Sequence, residues 1–145
     1  MQFDNEFSVA KPIDEVWGTM LDLERVIPCV PDARVLERTS DTTVTAEVKI
    51  RLGSMSMNYA GPTEIIERDD AQHRALLSAR AKEAGGQGNA EAKVEITLAE
   101  AGDGTEAKLH SDVIVTGKAA QMGEGIIAAV TEGMIKEFAE NLGKL

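Results

Sequence analysis

Few residues in this chain of 145 could carry covalent or metal chemistry, and their spacing speaks against each. The single cysteine, Cys29, stands between Pro28 and Pro31 with no histidine nearby, so a small buried thiol is expected rather than an activated nucleophile. His73 and His110 are far apart in the chain, and neither an HExxH pattern nor a paired CxxC is present. His110 occupies an outward strand position and His73 lies beside a turn, so both are expected in solvent. The stretch Ala84-Gly85-Gly86-Gln87-Gly88 precedes a strand pattern rather than a helix, which makes it a hairpin or bulge and not a phosphate cradle. The carboxylates fall on outward positions, with no inward pair for acid–base work. What remains is binding chemistry. Asn5, Tyr59 and Ser111 are polar residues on otherwise apolar faces. They could converge on a carbonyl or hydroxyl of a ligand, or be core groups bonded to backbone.

The elements that hold these residues follow from the hydrophobic period. Over 2–10, Phe3, Asn5, Phe7 and Val9 share one face of a strand, opposite Asp4, Glu6 and Ser8. A helix is predicted from Pro12, whose fixed φ suits a first helical position, with Asp14 and Glu15 at the positive end of its dipole. Ile13, Val16, Trp17, Met20 and Leu21 form its buried stripe, with Trp17 read as core at the pocket's end. Asp22 is placed to cap a second short helix carrying Leu23, Val26 and Ile27, which Pro28 and Pro31 stop.

From 33 to 117 the period is two. Val44, Ala46, Val48, Ile50 and Leu52 point inward from one run, and Met55, Met57, Tyr59 and Ile65 from the next. Further runs place Ala75, Leu77, Ala79 and Ala81 inward, then Ala90, Ala92, Val94, Ile96 and Leu98, then Ala107, Leu109, Ser111, Val113 and Val115. Such alternation predicts an antiparallel sheet with one buried face. Turn signals at Ser40-Asp41, Asp69-Asp70, Gly85-Gly86 and Asp103-Gly104 predict a meander of hairpins. A last helix opens near Gly123-Glu124 and closes by Gly143, with Ile127, Val130, Met134, Phe138 and Leu142 on its stripe and Ile126 and Ile135 widening it. The predicted fold class is α+β: a curved seven-stranded antiparallel sheet wrapped on a long C-terminal helix, with two short helices after the first strand. No repeat or linker interrupts it, so residues 1–145 are read as one domain.

Composition narrows the partners. Hydrophobic residues make up 43% of the chain, charged residues 28% and aromatic residues 3%, an ordinary globular balance except for its scarcity of rings. A net charge of −10 with no basic stripe excludes nucleic acid as a partner. One cysteine cannot form an internal disulfide, and Met1-Gln2-Phe3-Asp4 has no leader pattern, so a reducing, cytoplasmic setting is expected. No apolar run reaches the length of a membrane span, so any membrane contact is expected to be peripheral, at the inner face.

The inward set holds many alanines and few rings. Either the small residues let the last helix sit close to the sheet, or they leave room for a lipophilic molecule. In the second case Met20, Met55, Met57 and Met134 supply adaptable walls, joined by Leu77, Ile96, Leu109 and Val113 from the sheet and Ile127 and Val130 from the helix. Val26, Ile27 and Val30, facing Met122 and Ile126, would form a mouth able to touch a membrane surface transiently. No catalytic residue, metal ligand or covalent cofactor is expected.

The segment Pro12-Ile13-Asp14-Glu15-Val16-Trp17 followed by Cys29-Val30-Pro31, together with Gly117-Lys118-Ala119-Ala120-Gln121-Met122-Gly123, resembles the CoxG family of carbon monoxide dehydrogenase proteins. That family lies in the START/Bet v1-like (SRPBCC) superfamily of helix-grip folds, and the resemblance spans essentially the whole chain. Asp32 stands where the family usually has Gly, and Gly125 where Arg is frequent. The resemblance implies a non-enzymatic accessory protein of a molybdenum-containing carbon monoxide dehydrogenase. It also implies roles in recruiting that enzyme to the membrane and handling its lipid quinone, with an isoprenoid quinone such as menaquinone as the apolar ligand. Many members carry a C-terminal extension that helps membrane association, and this chain ends at Leu145 without one. Two other readings stay open. A ligand-free adaptor predicts a filled core, and a small hydrolase or cyclase predicts an inward His, Asp or Glu near Tyr59.

Overall fold

The computed structural model describes residues 1–145. β1 (Gln2–Val9) leads into α1 (Ile13–Met20), α2 (Leu23–Val26) and a 3-10 turn at Ile27–Cys29. Six strands follow: β2 (Ala33–Arg38), β3 (Thr43–Leu52), β4 (Met55–Asp69), β5 (Arg74–Glu83), β6 (Asn89–Ala101) and β7 (Gly104–Val115). A second 3-10 stretch, Gly117–Met122, turns the chain into α3 (Glu124–Gly143). The strands form one antiparallel sheet in the order β1-β7-β6-β5-β4-β3-β2, the meander that the turn signals predict, with β1 returning beside the last strand.

Curvature comes from identifiable residues. β4 is 15 residues long and holds Gly61-Pro62 at its middle, where pairing to β5 lapses between Ala60↔Lys82 and Thr63↔Ala79. A Cβ at Gly61 would lie 1.9 Å from the Arg80 carbonyl oxygen, so only glycine permits this approach. Register shifts at Val35/Glu37 and Ile65/Glu67 mark bulges, which add local twist. α3 crosses the concave face and is anchored near its end, where Phe138 meets Phe7 edge-on at 5.7 Å and Leu142 is fully buried. Apolar burial at that end joins α1, α2 and the sheet into the main core. A smaller cluster of Leu52, Met57, Tyr59 and Ala119, with Met122 and Val130 against it, fills the opposite end.

Several local expectations need correction. Pro12 is not in α1 but precedes it in an extended conformation, which its fixed φ also allows. Asp22 does sit at the N-cap of α2, yet its side chain makes no capping hydrogen bond. Pro28 lies inside the 3-10 turn instead of ending the chain's helical run. The last helix, by contrast, keeps its predicted bounds, opening at Glu124 and ending at Gly143 with Lys144 as its cap. Ile126 does not widen a buried stripe; it is 44% exposed.

Candidate ligand-binding cavity

Between the concave sheet face and α3 lies a cavity of about 390 Å³. Its origin is side-chain size. Ala46 on β3, Ala79 and Ala81 on β5 and Ala92 on β6 line it, and each leaves unfilled space where a leucine would reach α3. Twenty of its 27 lining residues are hydrophobic. The helix above contributes Thr131, Met134, Ile135 and Phe138, and of these only Phe138 is buried. The remaining inward alanines behave differently: Ala75 and Ala107 are packed in the main core, and Ala90 packs against the smaller cluster.

Of the residues that the sequence assigns to a pocket, Met20, Ile27, Tyr59, Leu77, Ile96, Leu109, Ser111, Val113 and Met134 line this cavity. The others do not. Met57, Met122 and Val130 belong to the smaller cluster, because the 3-10 stretch before α3 folds down onto β3 and β4 there. Met55 sits at the β3–β4 turn, and Ile127 is buried near the start of α3 without reaching the cavity. Trp17 is core beside the β4–β5 turn: its Nε1 donates to Asp70 at 3.0 Å and its ring meets His73 edge-on at 5.5 Å. Asn5 faces a separate groove between β1 and α3, where its Oδ1 is buried without a hydrogen-bond partner. The two sides of the expected mouth do not come together, because Val26, Ile27 and Val30 belong to the main core and Met122 to the smaller cluster. Val26 and Ile27 are buried and line the cavity, while the 3-10 turn is tied to the far end of α3 by Asn141 Nδ2 donating to the Cys29 carbonyl at 2.9 Å.

The three inward polar groups therefore do not converge. Register makes Ser111 on β7 the neighbour of Val94, then Leu77, then Ile65 on β4, six residues from Tyr59. Tyr59 and Ser111 are thus three strand spacings of about 4.8 Å apart across the sheet as well as offset along it. They line different parts of the cavity. The Tyr59 hydroxyl is buried with no partner. Burial, and then the nearby Glu83 carboxylate, raise its pKa, so it is a neutral donor at physiological pH.

Glu83 is an inward residue that the outward placement of the carboxylates does not anticipate. It extends the inward alternation Ala75, Leu77, Ala79, Ala81 by one step, is 6% exposed, and pairs across the sheet with Tyr59. Its carboxylate accepts from the Asn58 amide at 2.9 Å and the Gly85 amide at 2.6 Å. Hydrogen bonds from these amides, with Gln87 and Ala84 also contributing, hold its pKa below the usual carboxylate range. An ionised carboxylate saturated by backbone donors organises the β5–β6 hairpin and is a poor proton acceptor.

Elsewhere, Cys29 is 3% exposed, and burial raises its thiol pKa. His110 is on the outer face, with Nδ1 2.7 Å from Asp4 Oδ1, which raises its pKa. His73 is less solvated than a turn position suggests, because Trp17 covers one side of it.

A family model for the carbon monoxide dehydrogenase component CoxG matches residues 6–144. No curated protein matches the chain. Among solved structures, a conserved protein from Geobacillus kaustophilus superposes with a TM-score of 0.87 at 19% identity, covering 99% of this chain and 93% of that one. A START superfamily protein from Mycobacterium smegmatis gives 0.64 at 13% identity, covering 99% and 94%. The Zhui aromatase/cyclase from Streptomyces sp. R1128 gives 0.66 at 14% identity, covering 99% and 92%. These likenesses establish the START-like fold.

Proposed function

The chain belongs to the CoxG family of carbon monoxide dehydrogenase proteins, and on that footing we propose that it is a carrier that holds an isoprenoid quinone, menaquinone being the leading candidate, for a molybdenum-containing carbon monoxide dehydrogenase. The observation that carries this reading is the cavity, aliphatic over most of its wall and provided with one buried, unpartnered phenol at Tyr59. Its volume lies within the range of about 300–1,000 Å³ usual for small-molecule sites. It suits a quinone ring and the first isoprene units. Hiding that surface from water is favourable by roughly 25 cal/mol per Å². Tyr59 donates to one quinone carbonyl, and Ser111 lies toward the other end of the molecule.

No covalent step is assigned to the protein. Glu83, the inward carboxylate that a hydrolase or cyclase would need near Tyr59, is already committed to backbone amides. A ligand-free adaptor would have filled its core, and a cavity of about 390 Å³ speaks against that. In this reading the carrier is cytoplasmic and visits the inner membrane face to exchange its cargo. Titration with a short-chain menaquinone in vesicle-free buffer tests the binding step. Saturation at one per chain is expected, and no binding would overturn the proposal.

A further inference from the structure

The salt bridges of this acidic protein are unevenly placed. Arg34, Arg38, Arg68 and Arg74 each pair with a carboxylate, as does Lys11. The other ten cations form no salt bridge, and five of them, Lys49, Arg51, Arg80, Lys82 and Lys118, are exposed. Register and contacts gather these five at one end of the molecule. Lys49 and Arg51 precede the β3–β4 turn, Arg80 and Lys82 end β5, and the Lys118 amide is bonded to the Gln87 carbonyl of the β5–β6 hairpin at 3.1 Å.

In segments 49–60, 80–91 and 114–124 the charged residues are these five cations and Glu83, Glu91 and Glu124, a local balance of 5 − 3 = +2 against −10 for the whole chain. Glu83 is buried, so the exposed balance is 5 − 2 = +3. The same end carries an apolar tip. Ile126 is 44% exposed in the first turn of α3, and Met122 packs over the β3–β4 turn, 3.6 Å from where a Cβ on Gly53 would stand. Behind the tip lies the small cluster that contains Tyr59, which also lines the cavity.

We infer that this end of the fold, Lys49, Arg51, Lys82 and Lys118 around Ile126 and Met122, is a docking surface for an anionic phospholipid bilayer. The inference rests on the carrier reading, for which it names the surface that meets the membrane. Apolar side chains at the tip enter the headgroup boundary, and the surrounding cations reach lipid phosphates while their stems stay on apolar surface. The remaining surface, strongly acidic, is repelled by the same bilayer, so orientation is fixed by the field as well as by contact.

The test is flotation with vesicles of phosphatidylglycerol and phosphatidylcholine at 3:7, against pure phosphatidylcholine. Each cation near an anionic surface changes affinity about fivefold. Lys49→Gln, Arg51→Gln, Lys82→Gln and Lys118→Gln together are expected to weaken binding more than about a hundredfold. The charge-matched control Arg25→Gln, Lys108→Gln, Lys136→Gln and Lys144→Gln, also exposed and outside any salt bridge, is expected to weaken it far less. Ile126→Ser is expected to weaken binding several-fold with no change in salt dependence. Equal loss in both quadruple variants, equal binding to neutral vesicles, or binding to the dehydrogenase but not to vesicles through these four cations would overturn the inference. Quinone titration in vesicle-free buffer reads the carrier proposal separately, so failure of one is distinguishable from failure of the other.

Discussion

Tyr59 and Glu83 are directly opposed on β4 and β5, yet they do not share a hydrogen bond: the Glu83 carboxylate is occupied by the Asn58 and Gly85 amides, and the Tyr59 hydroxyl is left buried without a partner. An unpartnered buried hydroxyl destabilises the empty protein and rewards a ligand that accepts from it. Tyr59→Phe is therefore expected to leave the melting temperature unchanged or raise it while lowering quinone affinity by about 0.5–1.5 kcal/mol, or roughly two- to twelvefold. Calorimetric melting and quinone titration of the same sample check the two signs.

Glu83 acts on stability. Its pKa in the fold is depressed relative to the unfolded chain. It therefore stabilises fully above the ordinary carboxylate pKa, and that contribution is lost as pH falls toward the native value. Glu83→Gln is expected to lower the melting temperature at neutral pH and to flatten its fall between about pH 5 and pH 3. Melting curves across that range check it; an unchanged acid limb would show that the amide cluster contributes nothing.

Ala79 and Ala92 are cross-strand partners on the cavity wall. Replacing both with leucine adds apolar volume where space already exists, so folding is expected to survive with an equal or higher melting temperature. Quinone affinity is expected to fall at least tenfold. Undiminished affinity in a stable double variant would place the ligand elsewhere.

Gly61 controls the bend of β4. Gly61→Ala drives a methyl group into the Arg80 carbonyl, 1.9 Å from the added Cβ, and neither partner is a flexible side-chain end. A loss of about 1–3 kcal/mol is expected in denaturant unfolding. A cost near zero would mean that β4 and β5 separate there readily.

Much of the fold is legible in the sequence because period-two alternation survives wherever one sheet face is buried. Met57, Tyr59, Ala75, Leu98 and Ala107 all point inward as that pattern predicts. Glu83 is within reach of the same rule, one step beyond Ala81, but its charge reads as a solvated strand end. Alternation says which face a residue takes and not which neighbour fills the space beneath it. Ala79 and Ala107 look alike in sequence; one lines the cavity and the other is in the packed core. Long-range placement is harder to read. Lys49, Lys82 and Lys118 form no stripe in the chain and come together only through strand order, and Asn5, diagonal to Ser111 across the β1–β7 pair, parts from Tyr59 because three strands lie between β1 and β4.

A lipid quinone in the cavity is what the carrier proposal requires. Organic extraction of the purified protein, with mass spectrometry of the extract against a matched buffer control, tests it most directly. Isoprenoid quinone is expected at close to one per chain, reduced in Tyr59→Phe and absent in the Ala79→Leu, Ala92→Leu variant. An empty extract from the unmodified protein, still empty after incubation with quinone-loaded vesicles, would contradict it.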